Sequence, residues 1–230
     1  MIMRMILNDL LNLFYPRLCL VCQTPLVKGE DHICLLCSNH LPYTYFTDMK
    51  DNRVSRLFQG KVPFVAATAL FYFLQKGSSQ KLVHSLKYHG NKKLGYELGR
   101  LAVTAYRESG LFDTVDLLLP VPLHPKRMKQ RGYNQSEWIA RGIQSVTGIA
   151  IDTSSLSRIK RTESQTRKQR FERHKNVEGI FHPSNADALK NKHVLLLDDV
   201  ITTGSTIGAC AEAIKDIPGI RISILGITVV

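Results

Sequence analysis

The sequence predicts an α/β protein with a parallel central sheet, preceded by a small cysteine-rich module. Val194-Leu195-Leu196-Leu197 is an unbroken apolar run that ends in Asp198-Asp199, followed by a Thr/Gly/Ser turn and a helical pattern. A second run, Leu117-Leu118-Leu119, also leads through a loop into a helical pattern, and alternating strands and helices build parallel sheets. Four of the five cysteines fall before His40 as two C-x-x-C pairs. At 230 residues and 44% hydrophobic content, the chain can bury one α/β core plus a small appendage.

Residues 1–60 read as the N-terminal module and 61–230 as the α/β domain. Within residues 1–14, Ile2, Met5, Ile6, Leu10, Leu11 and Phe14 are interrupted by Asn8, Asp9 and Asn12, the pattern of an amphipathic helix docked on the body. No small-residue cleavage site follows, and no apolar run approaches the roughly 20 residues a bilayer span needs, so a cytoplasmic protein without membrane insertion is expected. The cysteine pairs come next, then a polar stretch from Thr47 to Gly60.

Residues 62–74, rich in Val, Phe, Tyr and Ala, read as a strand or hairpin. Two helical faces follow, Leu82/Val83/Leu86 and Leu94/Leu98/Leu101/Ala105, with Lys87-Tyr88-His89-Gly90 as the turn between them. Leu117 to Pro122 is a buried strand whose prolines mark its exit into a basic loop, Leu123 to Gly132. Asn134 and Glu137 have the spacing of a capping box for a helix with Trp138, Ile139, Ile143 and Val146 inward. Ile149 to Ile151 begins the next strand, and a basic segment over 158–179 reads as a loop. After the 194–197 run comes a helix with Ile207, Cys210, Ala211 and Ile214 at i, i+3, i+4 and i+7, then a last strand from Ile220 to Val230.

Cys19-x-x-Cys22 and Cys34-x-x-Cys37 are separated by eleven residues that include Pro25 and Gly29. Each pair presents two thiolates on one side of a tight turn, and two such turns complete a tetrahedral four-thiolate shell for a structural zinc ion. Paired disulfides are the competing reading, disfavoured in a reducing compartment, and a redox role would need only one C-x-x-C. His32 and His40 flank the filled shell and are expected at the surface. Cys210 is expected to be an inert buried thiol.

At the end of the 194–197 run, backbone N–H groups of a helix start can bind a phosphate dianion, with hydroxyls of Thr202, Thr203, Ser205 and Thr206 around Gly204 as further donors. Asp198 and Asp199 can accept hydrogen bonds from vicinal ribose hydroxyls. Together these residues describe a sugar-phosphate site. A strand ending in Asp-Asp also occurs where carboxylates hold Mg²⁺, while a P-loop is excluded because no G-x-x-x-x-G-K-[ST] is present. The net charge of +12 is concentrated. Between Arg158 and Lys175 eight Lys/Arg stand against Glu163 and Glu172, and Lys126, Arg127, Lys129 and Arg131 form a second cluster without an acid. Such loops serve a ligand's phosphates, a nucleic-acid backbone, or both.

The run Val194 to Thr206 resembles the PRPP (phosphoribosyl pyrophosphate) motif of type I phosphoribosyltransferases. With the four cysteines, Leu86-Lys87-Tyr88-His89-Gly90, the stretch Val121 to Ser136, and Thr162, Gln165, Arg170, Asn176 and Val177, it resembles the ComF (ComFC-type) competence family over essentially the whole chain. The resemblance implies a Rossmann-like type I phosphoribosyltransferase fold with a zinc ribbon in front. It further implies Asp198 and Asp199 as the ribose-binding catalytic pair and Thr202, Thr203, Gly204, Ser205 and Thr206 as the PRPP loop. His124, Lys126, Arg127 and Arg131 become the pyrophosphate loop, and Arg161, Arg167, Lys168, Arg170 and Arg173 a lid or DNA-binding segment. PRPP would come with a magnesium ion held largely by its own oxygens.

The function so implied is PRPP binding in DNA uptake during natural transformation, with single-stranded DNA and other uptake proteins as partners. An active phosphoribosyltransferase on a nucleobase or amine, and a PRPP-sensing regulator without turnover, are the alternatives. Tyr43, Tyr45, Phe46, Tyr88 and Tyr133 could stack bases, with packing the preferred reading for each.

Overall fold

The longest apolar runs of the sequence lie side by side in one parallel sheet. The structure, a computed structural model, describes residues 15–88, 90–158 and 179–230, so the helix expected within 1–14 lies outside the described residues. The elements are α1 (Leu35–Asn39), β1 (Ala66–Tyr72), α2 (Ser78–Tyr88), α3 (Lys92–Ala105), β2 (Leu117–Pro120) and α4 (Pro125–Arg131), then α5 (Gln135–Thr147), β3 (Ala150–Ile151), β4 (Leu156–Arg158), β5 (Phe181–Pro183), β6 (His193–Ile201), α6 (Ser205–Ile214) and β7 (Arg221–Val229). The five-stranded sheet has the order β1-β7-β6-β2-β3 with every pair parallel, while β4 and β5 form a separate antiparallel pair.

The central strands are apolar on both faces because both are covered. Leu195 and Leu197 of β6 face the core under α2, α3 and α5, whereas Val194 and Leu196 face the core under α6. Leu225 and Ile227 of β7 divide from Ile222 and Ile224 in the same way, as the two-residue period of a strand requires. Each fully buried side chain of this kind contributes about 1.5–3 kcal/mol.

Helices α3 and α5 touch through glycine. A Cβ on Gly99 would lie 2.1 Å from the carbonyl oxygen of Ile139, and one on Gly142 would lie 2.0 Å from that of Tyr96. This contact sets the rotation of α5: Ile139, Ala140, Gly142 and Ile143 are buried, while Trp138 is half-buried and Val146 is exposed, against the inward positions expected of those two. On α3, Ala102 and Val103 are buried and Ala105 is exposed.

The cysteine module packs into the core. Cys19, Ile33, Cys34 and Leu41 join Leu82 and Leu86 of α2. Lys81 Nζ donates to the Val21 carbonyl at 2.6 Å, and His32 Nδ1 lies 2.9 Å from Glu97 Oε2. His32 is therefore half-buried rather than a surface residue, while His40 is exposed. Residues 42–44 run along β1, with the Thr44 amide donating to the Leu70 carbonyl and the Tyr72 amide to the Pro42 carbonyl, so residues 62–74 contribute one strand and no hairpin.

Two further expectations change. The basic stretch after β2 is a helix, α4, because Pro125 starts it, the His124 ring accepts the Lys126 amide as its N-cap, and Gly132 ends it. Of the basic segment expected as a loop over 158–179, Arg158 ends strand β4, paired with β5, and residues 159–178 lie outside the described residues.

The topology puts a crevice between β2 and β6. These strands are neighbours, but β3 lies beyond β2 and β7 lies beyond β6, so the chain leaves them in opposite directions. Ligands of open parallel sheets bind outside the carboxyl ends of the strands at such a switch point.

Candidate functional site

Pairing between β2 and β6 stops at Pro120↔Leu197, whereas β6 stays paired with β7 through Ile201. The crevice therefore opens at Asp198 and Asp199. Successive strand residues point to opposite faces, and the carboxylates follow that rule. Asp199 faces α2, with Lys87 Nζ 3.4 Å from its Oδ2, and Asp198 faces α6 and feels the charges of Arg127 and Lys87. Both line one cavity of about 310 Å³, together with Lys87, Arg127, Arg131 and Arg158.

The polar groups of the cavity are incompletely satisfied. Asp198 Oδ1 accepts the Asp199 amide at 2.9 Å, but Asp199 Oδ2 is buried with no hydrogen-bond partner. Burial, and then the neighbouring Asp199, push the Asp198 carboxyl up to about 7, against the pull of the Asp199 amide, Lys87 and Arg127. Arg158 lies over the Phe181 ring, 5.3 Å from its centroid, and its Nε is buried without a partner. Burial and the nearby Arg127 lower its pKa, yet a guanidinium keeps its charge at neutral pH.

Beside the cavity, Thr202 to Thr206 wrap a small recess that shares Asp198, Thr202 and Thr206 with it. Gly204 stands at φ +73° as the N-cap of α6, and a Cβ there would lie 3.0 Å from two atoms of the Phe58 ring. Only glycine makes this turn without strain against that ring. Thr203 Oγ1 and Ser205 Oγ are 2.7 Å apart, so their hydroxyls are held at the helix start.

The sequence-predicted residues divide in three. Asp198, Asp199, Thr202, Thr206, Arg127 and Arg131 line the cavity, and Thr203, Gly204 and Ser205 line the recess. His124 and Lys126 are absent from the lining: the His124 ring caps α4 and Lys126 is exposed. Arg161, Arg167, Lys168, Arg170 and Arg173 lie outside the described residues. Two cations of the cavity were not singled out as site residues from the sequence. Lys87 follows a buried leucine at the end of α2 and reaches the site only through the packing of that helix, and Arg158 was one arginine in a basic run. Asn134 ties the framework together, its Nδ2 donating to the Val121 carbonyl and its Oδ1 accepting the Ser136 amide. Glu137 pairs with Arg141 instead of closing a capping box.

Of the aromatics, Tyr43 packs on Phe71, Phe46 packs on Tyr72, and the Tyr133 hydroxyl donates to the Leu86 carbonyl. Tyr45 and Tyr88 are exposed.

The ligand atoms of Cys19, Cys22, Cys34 and Cys37 all lie within 4.8 Å of one another, with Cys22 Sγ and Cys34 Sγ 3.7 Å apart. Tetrahedral zinc at 2.3 Å from four sulfurs separates them by about 3.8 Å, so the cluster can hold one such ion and leaves no open position. Cys19 Sγ accepts the amides of Val21 and Cys34, and Cys34 Sγ accepts that of Cys37. No described helix is long and apolar enough to cross a membrane.

No family model matches the chain. Among curated proteins it is 26% identical over 213 residues to DNA utilization protein YhgH of Salmonella typhimurium, covering 86% of this chain and 90% of that protein. It is 26% identical over 150 residues to Competence protein F of Haemophilus influenzae, covering 64% of this chain and 66% of that one. It is 24% identical over 209 residues to Competence protein ComFC of Bacillus subtilis, covering 87% and 78%. Among solved structures, adenine phosphoribosyltransferase from Leishmania tarentolae aligns with 78% of this chain and 88% of that chain at TM-score 0.36 and 13% identity, a likeness too slight to carry weight. Over most of its length, the chain is thus similar to proteins named DNA utilization protein YhgH, Competence protein F and Competence protein ComFC, at 24–26% identity.

Proposed function

We propose that the cavity between β2 and β6 binds PRPP with Mg²⁺, and that the protein uses this site in handling single-stranded DNA during DNA uptake. The observation that carries the reading is the pair of buried atoms without a hydrogen bond, Asp199 Oδ2 and Arg158 Nε, in one cavity beside the recess of the Thr202–Thr206 turn. An acceptor and a donor left without hydrogen-bond partners fit a ligand that both donates hydroxyls and carries phosphate. In this reading Asp198 and Asp199 receive the ribose hydroxyls, the Thr202–Thr206 turn takes the 5-phosphate, and Lys87, Arg127, Arg131 and Arg158 neutralise the diphosphate. Among the described residues, the four cysteines are the only metal-ligating group of three or more, so Mg²⁺ would be held by the diphosphate's own oxygens and water. The four-cysteine site takes zinc as a structural ion. The DNA role rests on the names of the relatives and on the excess of positive charge.

The same geometry would support transfer of phosphoribose to a nucleobase or amine. Cations around the diphosphate stabilise its departure while the carboxylates hold the ribose as positive charge builds on the ring. A PRPP sensor would use the site without that step. Calorimetric titration of PRPP and Mg²⁺ into the zinc-loaded protein, beside an Asp198→Ala/Asp199→Ala variant, tests the site. Binding abolished in the variant is the expected result, and absence of binding to the wild type would overturn the reading. Pyrophosphate release in the presence of candidate acceptors then separates enzyme from sensor.

A further inference from the structure

Among the described residues, Lys87 is the cavity cation that has a carboxylate within ion-pair distance. The contact is incomplete. At 3.4 Å it is longer than the 2.7–2.9 Å usual for a charge-assisted hydrogen bond, and Asp199 Oδ2 still has no hydrogen-bond partner. The ammonium thus offsets the carboxylate's charge without meeting its demand for a donor. Both side chains are largely shielded, 20% and 12% exposed, so the attraction is only weakly screened by water.

A sugar hydroxyl that donates to Oδ2 supplies the missing hydrogen bond but competes with Lys87 for the oxygen. A sugar with only a 5-phosphate brings no anion of its own to the displaced ammonium in this cavity, because that phosphate belongs to the neighbouring recess. A diphosphate on the anomeric carbon offers the ammonium a denser anion among Arg127, Arg131 and Arg158. We propose that Lys87 makes the cavity selective for a sugar phosphate that also carries a diphosphate. It pairs with Asp199 until the ribose hydroxyls take the carboxylate, and then transfers to the diphosphate. The inference rests on the PRPP reading above and adds how the site rejects the product-like sugar lacking the leaving group.

The test is calorimetric titration of PRPP, ribose 5-phosphate and inorganic pyrophosphate, each with Mg²⁺, into wild-type protein, Lys87→Met and Lys87→Arg. Loss of the charge should weaken PRPP and pyrophosphate by about tenfold or more and leave ribose 5-phosphate unchanged or tighter, so that the preference for PRPP collapses. Lys87→Arg should restore most of the preference. Equal weakening of all three ligands, or no change in any, overturns the inference while leaving PRPP binding in place. Thermal melting of each variant separates a folding defect from a binding defect. Should Lys87→Met fail to fold, Lys87→Gln replaces it under the same criteria. Wild-type protein that binds none of the three overturns the proposed function itself.

Discussion

In the cysteine module, Cys19 Sγ accepts the amides of Val21 and Cys34 and Cys34 Sγ that of Cys37, whereas at the end of β6 Asp199 Oδ2 and Arg158 Nε are buried with no hydrogen-bond partner. The module is furnished from within: its own backbone supplies donors to its sulfurs, and Cys19 and Cys34 sit in the core. The cavity, in the reading proposed above, is furnished for something outside the chain. Buried polar atoms almost always find partners, and these two share a cavity open enough for a ligand to supply them. The contrast separates a cluster that holds the fold from a cluster that the fold holds in readiness, at some expense in stability.

Breaking the module should give the largest effect. Cys34→Ser, or chelation of the wild type, removes an ion whose binding free energy is on the order of 10 kcal/mol in small zinc domains, comparable to the whole stability of a protein this size. Metal analysis with thermal denaturation should show loss of one zinc together with a large fall in melting temperature. An unchanged melting temperature would mean that the cluster does not support the fold.

Asp199→Asn should do the reverse to stability. It removes a buried carboxylate that lacks a hydrogen bond and repels Asp198, a gain that loss of the long 3.4 Å pair with Lys87 offsets only in part, so the melting temperature should rise by about 2–4 °C, equivalent to about 1 kcal/mol, while PRPP affinity falls by about 100-fold. If stability fell instead, the two regions would not differ in the way described.

Gly204→Ala tests whether the phosphate turn belongs with the module or the cavity. A side chain at φ +73° pressed toward Phe58 should destabilise by about 2 kcal/mol in urea unfolding and displace the Thr203 and Ser205 hydroxyls, weakening phosphate binding as well. A loss of both properties would place the turn in both classes.

The smallest effect is that of pH on Asp198. Its carboxyl is raised from 3.8 to about 7, so the folded chain keeps a proton that the unfolded chain releases. Its contribution to stability therefore declines as pH rises from about 4 to 7 and levels off above that. Ionised Asp198 is the better acceptor for a ribose hydroxyl, so PRPP affinity should increase by about tenfold between pH 6 and pH 8. Calorimetry on Asp198→Asn isolates this from titration of the ligand's own phosphates. An identical pH slope in the variant would remove Asp198 from the explanation.

The sheet was legible because Leu195 to Leu197 and Leu117 to Leu119 are apolar on both faces, a pattern that burial between two helical layers requires. The turn at Gly204 was legible because its residues are contiguous. Helix α4 was hidden by its charge: Lys126, Arg127, Lys129 and Arg131 leave no apolar face, and its order comes from Pro125 and the His124 cap at its start. Strands β4 and β5 span three residues each, too few for alternation to register. The rotation of α5 was misread at Trp138 and Val146 because a glycine contact with α3, invisible in a list of apolar positions, decides which residues face inward. Lys87 and Arg158 escaped notice as site residues for a related reason. Their neighbours in the chain say nothing of the carboxylates that tertiary packing brings near them.

The contact between Gly99 and Gly142 bears on how this chain can vary over generations. It lies among helix backbones rather than around the cavity, yet it fixes the helix whose N-cap, Asn134, grips the Val121 carbonyl at the mouth of the crevice. Any larger residue there would part the two helices and carry that grip with them, and a displacement of about 1 Å at a binding constellation is enough to cost it 100-fold. The outer faces of α3 and α5 should accept most substitutions in any descendant of this sequence, whereas at these two positions the backbones leave room for hydrogen alone.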